Sequence, residues 1–291
     1  CMYDILFQNG TVLSESGPVP NGFLAVRSGM IAYVGTEPPG APWASAVDLG
    51  GAYLSPGFID AHTHGAGGHD FMDATPEAIL GAARAHLKHG TTTVCPTSMA
   101  SDDGALFRFL DSFEEAKAHR AAMPHMPGVH LEGPYFSPAQ AGAQPPKFMK
   151  RPFPDHCFQV LERGRGNIVR WSCAPEVPGV LELGDELVSR GILPSVAHTD
   201  ADLALMERAM LHGFTHLTHF YSGMSMLKRV NGHRILGVVE AGYLYDALTL
   251  EIIADGVHLP PPLLRLIVKV KPMEKISLVT DSMRAAGMGD G

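Results

Sequence analysis

Short apolar runs and amphipathic stretches alternate along this 291-residue chain, and the rhythm changes once, near its start. Residues 3–8, 23–27 and 30–35 are brief β-like runs broken by Gly, Pro and Asn, which predicts a small antiparallel β unit over residues 1–50. From residue 51 onward the order becomes strand, loop, helix, repeated. The first helix shows the signals. Thr75 can cap it, Pro76 suits its first position, Ile79, Leu80, Ala83 and Leu87 mark one face, and Gly90 ends it. Further helices are expected near 103–119, 155–163, 179–190, 201–211 and 235–241, and a last one opened by Pro260 to Pro262 and running to about Val270. The strands expected between them are one ending at Asp60, then 91–96, 128–132, 168–174, 193–198, 216–219, 248–254 and 275–281. Eight strands separated by helices predict an α/β fold, a (β/α)8 barrel of the TIM type over residues 51–291. Parallel strands need helical crossovers, and both faces of their sheet must be covered. An open doubly wound sheet is the alternative, but no Gly-x-Gly-x-x-Gly follows an early strand, so a dinucleotide fold has little support.

Composition narrows the partners. A 45% hydrophobic content at this length can bury one large core beside a small appendage. The net charge of -8, without any Lys/Arg run, argues against a nucleic-acid or anionic-membrane surface and leaves small molecules as partners. No segment approaches eighteen uninterrupted apolar residues, and the chain reads as cytoplasmic. Cys1, Cys95, Cys157 and Cys173 lie far apart without a Cys-x-x-Cys, which suits reduced, mostly buried thiols.

Fifteen histidines are the anomaly, and their positions matter more than their number. His62 and His64 follow the first strand two residues apart. On extended backbone, residues i and i+2 share a face, so two ring nitrogens can converge on one cation. An isolated His-x-His is more often just the polar opening of a loop. Here, however, Glu132, His198, His219, His258 and Asp281 fall at or just beyond later strand ends, and a barrel brings all of these to one mouth. Imidazole and carboxylate donors suit Zn²⁺, Fe²⁺ or Mn²⁺ at a catalytic site with an open position. Such a metal lowers the pKa of water from about 15.7 to about 7. Asp281 would stand beside that water as a general base. His86, His89, His119, His125, His156, His212 and His233 need only surface or helix-end roles. His130 and His216 suit core or ligand-supporting roles, and His69 has no assigned role.

Six stretches carry a resemblance: PGFIDAHTHG at 56–65, HLEGPYFSPAQAGA at 130–143, VAHTDAD at 196–202, THFYSGM at 218–224, IIADGVHL at 252–259 and LVTDSMRAAG at 278–287. Together they resemble the N-acetylglucosamine-6-phosphate deacetylases of the amidohydrolase superfamily, through most of the chain. The resemblance implies that Glu132, His198 and His219 bind the main metal, that His62 and His64 complete a second site with Glu132 bridging, and that Asp281 joins the metal ligands. Two divalent ions per subunit follow, zinc first and Fe²⁺ or Mn²⁺ as alternatives. The implied reaction is hydrolysis of an acetamide: Asp281 acts as general base and then acid, and His258 polarises the carbonyl.

The departures from the family pattern bear on substrate. Gln144 stands where better-known members carry a substrate-contacting His, and it can hydrogen-bond but cannot ionise near neutrality. Ser222-Gly223 replaces an Asn-Ala pair that helps hold phosphate. Val230 replaces an Arg that reaches the phosphate of a neighbouring subunit, for which Lys228, Arg229 or Arg234 could substitute. The substrate-binding candidates are therefore Gln144, Ser222, Gly223, Arg229 and His258, the partner is an amino-sugar phosphate, and a homodimer is implied. The alternatives are another N-acyl amino sugar such as N-acetylgalactosamine 6-phosphate, another metal-dependent amide hydrolase, or an inactive metal-binding barrel. The chain ends ten residues after Asp281, so it is expected to be a fragment whose small β unit would be completed by later strands.

Overall fold

A computed structural model describes residues 2–119 and 123–289. Its two compact units are Cys1–Gly57 and Phe58–Gly291.

The first unit is a five-stranded sheet of β1 (Tyr3–Ser14), β2 (Gly17–Arg27), β3 (Met30–Gly35), β4 (Trp43–Asp48) and β5 (Tyr53–Leu54). The order is β3-β2-β1-β4, and β5 also pairs with β1. The expected antiparallel meander is present in β1 to β3, but β4 and β5 run parallel to β1, so the unit is mixed rather than antiparallel. The sequence Trp43–Asp48 is exposed along its whole length and lacks the apolar alternation that marks a strand, so its main-chain pairing, with the Ser45 and Asp48 side-chain hydrogen bonds to Asp4 and Asn9, holds it there. Gly10 makes room for the return of the chain, since a Cβ there would lie 2.5 Å from the Ala52 carbonyl oxygen.

The second unit continues with β6 (Phe58–Thr63), the short hairpin β7 (Gly65–Ala66) and β8 (His69–Asp70), α1 (Pro76–Lys88), β9 (Thr91–Pro96), α2 (Asp103–Lys117) and β10 (Val129–Glu132). Next come α3 (His156–Arg163), β11 (Ile168–Cys173), α4 (Val180–Ser189), β12 (Leu193–Val196), α5 (Leu203–Leu211) and β13 (His216–Leu217). A second hairpin, β14 (Lys228–Val230) and β15 (His233–Ile235), precedes α6 (Val238–Leu244), β16 (Thr249–Ile253), α7 (Pro261–Val270) and β17 (Ile276–Val279). Helix starts follow the sequence signals. Thr75 accepts from the Ala78 amide, Asp102 from Ala105 and Asp202 from Leu205, each satisfying a first-turn N–H.

The parallel strands form a six-stranded sheet, β10-β11-β12-β13-β16-β17, and a separate pair, β6-β9. The two meet at both margins. Thr97 bridges His130 beside β10, and the Asp281 amide beyond β17 donates to the His62 carbonyl of β6 at 2.9 Å. The result is a curled parallel sheet. Its helices cover it with a core that includes Phe71, Phe109, Phe113, Trp171 and Phe214. Cys95, Cys157 and Cys173 are buried free thiols, whereas Cys1 lies outside the described residues. No helix among the described residues is long and apolar enough to cross a membrane.

Candidate metal centre

The order of polarity along β6 is reversed from that of an ordinary strand. Phe58 and Ile59 are exposed, while Asp60, His62 and Thr63 are buried. His62 lies within this strand rather than after it, and the alternation of extended backbone carries Asp60, His62 and His64 inward together. There they face a buried carboxylate, Glu132, at the end of β10. Oε1 of Glu132 is 2.9 Å from His219 Nε2, 3.2 Å from His198 Nε2 and 3.7 Å from His62 Nε2. Its Oε2 is 3.2 Å from His64 Nε2. Asp281 closes the group, with Oδ1 3.4 Å from His62 Nε2 and 3.2 Å from His64 Nε2, and 20% of its side chain remains exposed.

Three of these residues reach the cluster at a conformational cost. His198, His219 and Asp281 each follow a strand of the parallel sheet, and each has a positive φ, of 47°, 33° and 48°. Non-glycine residues rarely adopt that left-handed conformation, which costs about 1–3 kcal/mol and persists where the surroundings impose it. The surroundings here are specific. Gly223 packs so close that a Cβ on it would lie 2.9 Å from His198 Nδ1, and His198 Nδ1 donates to the Gln140 carbonyl at 2.9 Å. Asp60 holds the loop bearing Asp281 by accepting from the Thr280 hydroxyl at 2.6 Å.

The donor set fits a divalent cation. His62, His64 and Glu132 offer one triplet of ligand atoms, and Glu132, His198 and His219 offer another, each within 4.8 Å of one another. His62 Nε2, the nitrogen of that ring nearest Glu132 and Asp281, is buried with no hydrogen-bond partner among the described residues, which is unfavourable unless a ligand engages it.

Comparison with known proteins supports the same chemistry. Residues 53–289 match the model of the amidohydrolase family. The chain belongs to the amidohydrolase family. Across 99% of its length and 72% of the relative's, it is 34% identical to the N-acetylglucosamine-6-phosphate deacetylase of Bacillus subtilis. It is 29% identical to the N-acetylgalactosamine-6-phosphate deacetylase of Escherichia coli O157:H7, over 96% of this chain and 72% of that one. Among solved structures, it is similar to a mutant of the Mycobacterium smegmatis N-acetyl-D-glucosamine-6-phosphate deacetylase in complex with N-acetyl-D-glucosamine-6-phosphate. There the TM-score is 0.89 at 31% identity, covering 99% of this chain and 73% of that one.

Within this amidohydrolase, the charges of the cluster are mutually dependent. Burial disfavours ionised Glu132, but hydrogen bonds from His198, His219 and His64 outweigh it and hold the carboxyl well below its usual range. Burial likewise disfavours protonated His64, yet Asp281 and Glu132 prevail and push its pKa up to about 10. Burial raises Asp281, and the His62 and His64 rings more than reverse it.

The other predicted site residues are distributed differently. Gln144 is buried behind Glu132, donating to Oε2 at 2.6 Å while its own Oε1 accepts from the Ala100 amide at 2.9 Å. Ser222 is half-buried and donates its amide to the His219 carbonyl at 2.9 Å, next to Gly223. His258 sits on an exposed loop with its Nδ1 2.8 Å from Asp255 Oδ2. Arg229 is exposed on β14, directly opposite Arg234 of β15.

Sequence reasoning missed the layer behind the ligands. Glu251 of β16 is fully buried, reaches His62 Nδ1 at 3.4 Å and is ion-paired to Arg170 of β11. His86 lies in the last turn of α1, a helix end as expected, but it is buried rather than at the surface, 2.9 Å from the Thr63 hydroxyl. Its position on the apolar face of α1, three residues after Ala83, was the available signal. His130 and His216 are buried core residues, His130 against Ser172 at 2.7 Å and His216 against Thr249 at 2.6 Å.

Proposed function

We propose that this amidohydrolase removes the acetyl group of N-acetylglucosamine 6-phosphate, releasing glucosamine 6-phosphate and acetate. The observation that carries the reading is the sharing of Glu132 by two triplets of donors beside the partly exposed carboxylate of Asp281. The name of the Bacillus subtilis relative and the sugar phosphate bound to the Mycobacterium smegmatis mutant point to the same substrate. We read the curled sheet with its β6-β9 pair as a (β/α)8 barrel, a fold that carries its chemistry where the donors lie, at the C-terminal ends of its strands.

Two divalent cations suit the two triplets, zinc first, with Fe²⁺ or Mn²⁺ accepted by the same donors. When bound, they supply Lewis acidity that acidifies water and polarises the acetyl carbonyl. The protein's own groups do the rest. Asp281 takes the proton of the attacking water and returns it to the departing amine. His258 serves the carbonyl oxygen. The Asp255 carboxylate, held down to about 2 by its hydrogen bond with His258, accepts from Nδ1 of that ring and fixes its orientation. The hydrogen bond between His198 Nδ1 and the Gln140 carbonyl fixes that ring with its Nε2 aimed at Glu132. Ser222 and Gly223 line the sugar's path, and Gln144, buried and tied to Glu132, holds that carboxylate in place. The β14–β15 hairpin supplies the phosphate contact. Arg229 faces Arg234 across the ladder, an unfavourable like-charge pair that an anion relieves, and Lys228 and His233 stand next to them. A hairpin that serves the neighbouring subunit's substrate makes the working unit a homodimer, and the substrate places it in the cytoplasm.

The test is acetate release from N-acetylglucosamine 6-phosphate, unphosphorylated N-acetylglucosamine and N-acetylgalactosamine 6-phosphate by metal-loaded protein. Turnover of the phosphorylated gluco sugar above the other two is the expected result. Preference for the galacto epimer would move the assignment toward the Escherichia coli relative's named activity, and no release from any of them would sink it.

A further inference from the structure

We infer that Glu251 is a positioning residue for His62 and thereby sets the cation affinity of the His62/His64 half of the centre. The inference rests on the metal-dependent reading above and concerns a side chain outside both donor triplets. Glu251 lies in the middle of β16, and its strand neighbours Leu250, Ile252 and Ile253 are buried apolar residues. A carboxylate in such a strand is strongly unfavourable unless both oxygens are engaged. Here they are. Oε1 is ion-paired with Arg170 and lies 3.5 Å from His216 Nε2, while Oε2 lies 3.4 Å from His62 Nδ1 and 3.4 Å from the His219 amide.

Arg170 removes what freedom Glu251 would otherwise have. Its second terminal nitrogen donates to the Ala61 carbonyl at 3.0 Å and lies 2.7 Å from His130 Nδ1. The guanidinium thus ties β11 to the backbone immediately before His62 while it fixes the carboxylate behind His62. The consequence falls on one ring. With Nδ1 turned to Glu251, the proton of a neutral His62 resides there, and Nε2 is a bare lone pair. That nitrogen is buried, has no hydrogen-bond partner among the described residues, and points between Asp281 Oδ1 at 3.4 Å and Glu132 Oε1 at 3.7 Å.

The other half is supported differently. His198 donates from Nδ1 to a neutral backbone carbonyl, and Nδ1 of His219 has no partner among the described residues. A charged partner raises the basicity of a ligating imidazole more than a carbonyl does. Losing the charge of Glu251 therefore acts chiefly on the His62/His64 half, since it faces the ring of His62 but only the backbone amide of His219.

The experiment counts zinc per subunit across a series of metal buffers, by mass spectrometry of the eluted protein, for the wild type, Glu251→Gln and the double variant Glu251→Gln/Arg170→Gln. The double variant keeps the buried charges balanced in case the single one fails to fold. The wild type is expected to hold two ions. Both variants are expected to bind one with unchanged affinity and the other about 10–100-fold more weakly. Cobalt spectra of the singly loaded variants should match those of a His62→Ala/His64→Ala control, a signature that general destabilisation would not produce. Unchanged affinity for both ions, or equal weakening of both, would overturn the inference while leaving the metal reading intact. A wild type that binds fewer than two ions would overturn the metal reading and the inference with it.

Discussion

The His62/His64 pair and the His198/His219 pair meet at one carboxylate by opposite means. The first is built from a regular strand, where the alternation of β6 turns both rings inward and a buried carboxylate, Glu251, stands behind one of them. The second is built from strand ends bent into the left-handed conformation, with φ of 47° and 33°, and depends on the close approach of Gly223 and a backbone carbonyl. One half therefore rests on a charged side chain and the other on strained backbone. The halves should respond to different substitutions.

Glu132 is what they share, so its replacement gives the largest effect. Glu132→Ala should abolish binding of both ions and lower deacetylation by more than about 10³-fold, the scale on which electrostatic stabilisation of the transition state is lost. Metal content and acetate release check it together, and one retained ion would mean that the halves are independent sites. Asp281 touches only the first half, through His62 and His64. As a general acid–base its removal is a chemical defect, so Asp281→Asn should retain the ions while turnover falls by about 10²–10⁴-fold. Full activity in that variant would remove Asp281 from the mechanism.

These two halves were not equally legible in the sequence. His62 and His64 are two residues apart on a strand, and period-two alternation alone predicts that they converge. His198 and His219 are separated by a helix, and only the repeated strand–helix order places them side by side. Glu251 and Arg170 were not legible. In a strand such as TLEII a charged residue reads as the solvent-facing one, and only the curling of the sheet turns it toward a partner on another strand. The β14–β15 hairpin was missed although its turn, Asn231-Gly232, is a strong hairpin dipeptide. The flanking residues, Lys228–Val230 and His233–Ile235, are too short and too polar to read as strands.

The pH dependence of ion binding gives a further test of the first half. In the ion-free protein His64 keeps its proton until about pH 10, far above an ordinary imidazole, because Asp281 and Glu132 outweigh its burial. An ion in the first half must displace that proton, so its affinity should rise about tenfold per pH unit and level off near pH 10. Calorimetry at pH 8 in buffers of different ionisation enthalpy should register the released proton, and heats that do not depend on the buffer would contradict it.

The smallest expected effect isolates the second half. Gly223 has a φ of 58°, and an added Cβ would lie 2.9 Å from His198 Nδ1 and 3.2 Å from the Gln140 oxygen that orients it. Gly223→Ala therefore strains its own backbone and presses on both members of the hydrogen bond that aims His198 at Glu132. His64 lies against the other oxygen of Glu132, and His62 and His64 both face Asp281, away from Gly223, so their ion should be unaffected. The expected result is a several-fold to about tenfold weaker second ion, with the fold retained, read by the same metal-buffer series. If Gly223→Ala weakened the His62/His64 ion instead, the bent strand ends and the straight strand would share one support, and the division between the halves would be wrong.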